Sequence, residues 1–129
     1  MPNDGNETFD MEHLLELAEE KKYRLLKEEL VELNEVDIAS FIEELDSERT
    51  VIVFRMLPKA LATEVFAELP VDKQSHIINS ITDKELSEIV DELYVDDAVD
   101  LVEELPATVV RRVLQNTKPE TRKLINQFL

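Results

Sequence analysis

The chain has 129 residues, a formal net charge of −16, 43% hydrophobic residues, one Gly and no Cys. That hydrophobic fraction belongs to a globular chain with one modest core, while a single Gly leaves too few tight turns for an all-β protein. The missing Cys excludes disulfides, zinc–thiolate centres and a thiol nucleophile, and the negative charge disfavours nucleic acid and favours cations or basic protein surfaces.

Residues 1–8 are polar with no apolar run behind them. They are expected to be disordered and are not a secretory leader. From Phe9 to Glu20, the spacing of Met11, Leu14, Leu15 and Ala18 predicts an amphipathic helix. Tyr23, Leu26, Leu30 and Leu33 predict a second one. Both fall outside the periodicity that follows, so residues 9–32 are expected to cap it.

Over residues 33–129 an apolar residue returns every twelve positions: Leu33, Leu45, Leu57, Leu69, Ile81, Leu93 and Leu105, until Thr117 breaks the series. A second column runs Phe41, Val53, Val65, Ile77, Ile89, Leu101, Val113 and Ile125. Beside it stand Ile42, Phe54, Phe66, Ile78, Val90, Val102 and Leu114. A further column, mostly small or apolar, holds Ile38, Ala62, Leu86, Ala98 and Val110. Together these columns form one face of a short helix per unit, ending near the repeated Leu. Start signals follow that Leu: Pro58, Pro70 and Pro106, Asp46 as an N-cap, and Thr82 with Glu85 as a capping box. Helices this short are unstable alone in water, so each must bury its face against neighbours. Short connections make consecutive helices antiparallel, and two units form a hairpin of about 24 residues that stacks on the next. The expected fold is an all-α solenoid.

Acidic residues crowd between Asp83 and Glu104, where Lys84 is the one basic residue. Asp96 and Asp100 are one helical turn apart, as are Asp100 and Glu104, and like charges at that spacing repel. The helix dipole favours Asp96 and Asp97 in a first turn, but does not account for Asp100, Glu103 and Glu104. Such a surface suits hard cations: Mg²⁺ takes one or two carboxylates and keeps most of its waters. Glu64 and Glu88 share a unit position two units apart, which places them on neighbouring equivalent helices, and Asp100 has that position one unit further on. His76, at the same unit position, reads as a surface residue. No nucleophile elbow, P-loop or dinucleotide fingerprint is present, so enzymatic activity is not expected.

The strings DIASFIEEL (37–45), RMLPKALATEVFAELP (55–70) and ELSEIVDELYVDDAVDLVEELP (85–106) resemble the cytosolic N-terminal domain of the MgtE family of magnesium transporters and channels. The resemblance implies a right-handed superhelix of short helices, similar to armadillo arrays. It also implies a following CBS pair and membrane domain, neither of which this chain contains, and a homodimer on the cytoplasmic side of the membrane. Mg²⁺ between the N and CBS domains would hold the gate closed when Mg²⁺ is high. The family's N-domain contributors match Glu64 in LPKALATEV and Asp96 and Asp100 in VDDAVD, with Asp97 in the same motif. In isolation these would be weak half-sites. The competing reading is a stand-alone acidic scaffold that binds a basic protein partner through the same face.

Overall fold

In the computed structural model, which describes residues 9–128, the repeat becomes a run of short helices. They are α1 (Met11–Glu19), α2 (Tyr23–Leu30), α3 (Glu35–Glu43), α4 (Ser47–Met56), α5 (Lys59–Glu68), α6 (Val71–Ser80), α7 (Asp83–Glu92), α8 (Val95–Glu104), α9 (Ala107–Gln115) and α10 (Pro119–Phe128). All regular structure among the described residues is helical, as the sequence predicts. The disorder expected at residues 1–8 lies outside the described residues.

The repeated Leu does not sit inside its helix. Leu57, Leu69, Ile81, Leu93 and Leu105 are C-caps in extended backbone. The chain leaves each helix there, and all of these side chains except the half-buried Leu93 turn into the core. One further residue then opens the next helix. At Pro58, Pro70 and Pro106 that residue stands at the N-cap, one place before the first helical residue, where its fixed φ suits the turn. At α1, α3, α4 and α7 a side chain meets the orphan N–H groups, whereas Lys22 and Tyr94, the N-caps of α2 and α8, make no such bond. Asp10 accepts from the His13 N–H, Asn34 from Asp37 and Asp46 from Arg49. Thr82 and Glu85 form the reciprocal capping box. The α1–α2 turn has no Gly, so Lys21 takes the left-handed conformation (φ 61°).

Packing follows the two-unit period. In one row α3 packs on α5, α5 on α7 and α7 on α9; in the other α2 packs on α4 and α4 on α6, with α8 on α10. Helix α1 joins α2 to α3. The second row changes course after α6, which packs against α9, while α8 rests on α9 and α10. The column from Phe41 to Ile125 is buried throughout. Its neighbour is buried from Ile42 to Val90 and half-buried at Val102 and Leu114, where the stack nears its end. On α1 the buried face is Leu14, Leu17 and Ala18; Met11 and Leu15 are half-buried, so the face is turned from the one the sequence suggests.

Polar side chains tie the rows together. Lys73 Nζ donates to the Leu45 carbonyl (2.6 Å) and to Thr50 Oγ1 (2.9 Å), joining α6 to α4. His76 is half-buried rather than a plain surface residue: its Nε2 lies 2.9 Å from the Ser47 carbonyl oxygen, which requires the proton on that nitrogen. A fixed imidazole here closes the start of α4 against α6.

Candidate functional site

In three dimensions the acidic run divides in two. The carboxylates of α7 are largely engaged within the fold. Glu85 receives a two-pronged ion pair from Arg55 on α4 (2.7 and 3.1 Å), Glu88 pairs with Lys59 on α5 (3.4 Å), and Asp83 pairs with Arg112 on α9 (2.9 Å). Asp91 accepts from the Lys118 N–H (3.2 Å) and from Ser87 (3.3 Å). On α8 the situation is opposite: among the described residues, no basic side chain pairs with Asp96, Asp97, Asp100, Glu103 or Glu104.

Two adjoining grooves flank α8. The first, about 300 Å³, is bordered by Glu35, Glu64, Glu68, Glu92 and Asp97 over a floor that includes Ala60, Thr63 and Ala67. Tyr94, the N-cap of α8, stands at its edge with 81% of its surface exposed. The second, about 110 Å³, is bordered by Asp97, Asp100 and Glu104 together with Gln74. No Lys or Arg borders either groove.

Helix geometry explains the allocation. On α8 the core face is Ala98 and Leu101, continued by Leu105 at the C-cap. Asp97, Asp100 and Glu104 flank that face on one side, whereas Asp96 and Glu103 lie further round, towards solvent. The structure therefore brings Glu64 and Asp97 to one groove, gives Asp97 and Asp100 a second, and leaves Asp96 exposed outside both. Sequence reasoning missed Glu35 and Glu68 as partners of this surface and held Glu92 only as one member of the acidic run. Glu68 carried a signal, since it lies one turn after Glu64 on α5. Glu35 carried none, because only the packing of α3 on α5 delivers it. Among the described residues, no three Asp, Glu or His side chains are placed to hold a metal ion by themselves.

Glu85 shows what a partner does to such a carboxyl. The Arg55 guanidinium, helped by the Thr82 backbone N–H, holds it down at about 2 against an ordinary 4.5. A depressed folded pKa means stability that is present above about pH 4.5 and lost as pH falls towards 2. With 37% of the side chain exposed, screening reduces the contribution to about 1 kcal/mol. In urea titrations, the wild type should lose about 1 kcal/mol more than Glu85→Gln between pH 5 and pH 2.5. Parallel losses in the two proteins would remove the pair from the account.

Residues 33–129 match the family model for the MgtE intracellular N domain. The chain belongs to that family. It is also similar to the crystal structure of the cytosolic domain of the Mg²⁺ channel MgtE in complex with ATP, with 30% identity and a TM-score of 0.74 over 91% of this chain and 48% of that one. The crystal structure of the soluble part of a magnesium transporter shares the fold, with 20% identity and a TM-score of 0.76 over 93% of this chain and 49% of that one. The chain thus spans about half the length of these two solved chains. No curated protein sequence gives a significant match. Membership in the MgtE N-domain family makes this an intracellular domain, and among the described residues no helix is long and apolar enough to cross a membrane.

Proposed function

We propose that this chain is the Mg²⁺-sensing gating domain of a magnesium transporter or channel, acting on the cytoplasmic side with CBS domains of the same protein in a homodimer. The repeat over 33–129 forms the gate, and residues 9–32 cap it. The observation that carries this reading is the meeting of Glu64 and Asp97, from α5 and α8, on a groove with no basic residue at its border.

The residues fit the ion. Glu64, Asp96, Asp97 and Asp100 are hard oxygen donors, and Mg²⁺ is satisfied by one or two carboxylates while retaining water. Since no three of them are placed to hold an ion, the domain supplies part of each site and leaves the rest to the facing surface. With the cation scarce, carboxylates on the two surfaces repel and the N domain stands away from its partner. With it abundant, Glu64, Asp97 and Asp100 can approach acidic groups of the CBS side, so the closed arrangement gains by its higher affinity. Asp96, exposed outside the grooves, is suited to reach across the interface.

The test uses the polypeptide extended through the CBS pair. Mg²⁺ should protect it from limited proteolysis, and Asp96→Ala with Asp100→Ala should raise the midpoint on the order of tenfold, or ~1.4 kcal/mol of lost differential affinity. Unchanged protection in the double variant would defeat the assignment. Equal protection by ionic-strength-matched Na⁺ would instead favour the acidic scaffold with a basic protein partner.

A further inference from the structure

Gln74 breaks the apolar column that Ala62 and Leu86 continue, yet it is only 8% exposed. Its Nε2 donates to the Phe66 carbonyl (2.9 Å). A carbonyl can only accept, so this bond fixes which end of the amide is which. The other end, Oε1, has no donor among the described residues, and a buried acceptor without a donor is destabilising. Gln74 borders the smaller groove, where Asp97, Asp100 and Glu104 likewise have no basic partner. Gln74 Oε1 and the three carboxylates all accept, so whatever satisfies them must bring both donors and positive charge.

We infer that this groove binds a primary alkylammonium group. A cation without N–H groups can meet the carboxylates but offers Gln74 Oε1 no hydrogen-bond donor. An –NH₃⁺ group brings three donors of its own, which can be shared between Gln74 Oε1 and the carboxylates, and its methylene stem can lie along Phe66 and Leu101. The space of about 110 Å³ holds roughly three or four groups the size of water, enough for an ammonium and the first methylenes of its stem. The ligand class is a lysine side chain or the end of a polyamine. The inference does not rest on the Mg²⁺ reading: Asp97 and Asp100 serve in both, but Gln74 and Glu104 belong to this one alone.

The experiment follows the Gln74 side-chain amide and the backbone amides of Asp97, Asp100 and Glu104 by NMR at constant ionic strength. The chain is titrated with n-butylammonium and, separately, with tetramethylammonium, which carries the same charge but no N–H. Saturable binding of n-butylammonium, tighter than tetramethylammonium by about fivefold or more, is the expected result, since that factor is the worth of roughly one hydrogen bond. Gln74→Leu should remove the difference, and Glu104→Gln, at an exposed position that leaves the core untouched, should weaken n-butylammonium in the same direction. Equal response to the two ions, or shifts at the carboxylates without one at Gln74, would overturn the proposal and leave a water as the partner of Oε1. Spermidine and Nα-acetyl-lysine methylamide then separate the sources. Spermidine binding at least about tenfold tighter, ~1.4 kcal/mol, identifies a free polyamine, and parity identifies a lysine side chain.

Discussion

Phe66→Ala should destabilise the domain by about 3–5 kcal/mol, a large share of the roughly 5–15 kcal/mol that holds a domain of this size together. Phe66 is fully buried on α5 and meets Phe54 of α4 edge to face, with ring centroids 6.1 Å apart. Removing the ring leaves a cavity and dissolves the aromatic pair. The position magnifies the loss. Helix α5 packs on both α3 and α7, and a stack of short helices is held by its nearest-neighbour interfaces, so the damage reaches two of them. The melting temperature should fall by about 10–20 °C, with Phe66→Leu losing well under half as much. Circular dichroism would decide it, and a drop under about 5 °C would show that the core does not turn on this ring. The consequence for the site is direct. Glu64 reaches its groove from α5, and Phe66 borders the groove on the other flank, so loosening α5 separates Glu64 from Asp97.

That dependence also marks how far the sequence could be read. The columns led by Leu33, Phe41 and Ile42 record burial, which is local and periodic, so the short helix of each unit and most of the two-unit stacking follow from them, but the turn of α6 towards α9 does not. Asp46, Thr82 and Glu85 were legible as caps because capping acts over three residues. Charge was another matter. Counting along the chain from Asp83 to Glu104 merges two populations, because the partners of α7 come from far away: Arg55 lies on α4, Lys59 on α5 and Arg112 on α9. These cations were visible in the sequence, but their direction across the stack was not. Once they are assigned, the acidity that remains free is that of α8 and the facing edge of α5. Glu64, Asp97 and Asp100 survive this sorting as groove residues; Asp96 was selected by the same motif and lies outside. The polar breaks in an apolar column were equally informative. Thr50 and Gln74 occupy positions of the column that also holds Ala62 and Ala98, and each proves to be a buried hydrogen-bonding group: Thr50 to Lys73, Gln74 to the Phe66 carbonyl. A polar residue in an otherwise apolar column signals a specific bond, although the sequence does not say to what.

Replacing Arg112 by Met should cost about 2–3 kcal/mol, more than any surface ion pair is worth. The guanidinium on α9 reaches across two elements. It donates to the Ile78 carbonyl of α6, to the Ile81 carbonyl at the C-cap of that helix (2.7 Å), and to the Asp83 carboxylate at the start of α7 (2.9 Å). The last carbonyls of a helix have no partner inside it, so Arg112 supplies donors that α6 cannot supply itself. Met matches the length of the stem but leaves those carbonyls unmet. Asp83→Asn removes only the exposed ion pair and should cost under about 1 kcal/mol, which separates the carbonyl contribution from the electrostatic one. Urea unfolding of the two variants at low and high salt makes the comparison. If Asp83→Asn matched Arg112→Met, or if salt erased the cost of Arg112→Met, the ion pair rather than the capped carbonyls would be carrying the joint. Helix α9 is also the element on which both α7 and α8 rest. Hydrogen exchange in Arg112→Met should therefore quicken along α8, the helix whose unpaired carboxylates line both grooves, before it quickens in α3 or α4. The placement of Asp97 opposite Glu64 is then a property of the far end of the stack as much as of the two helices that carry them.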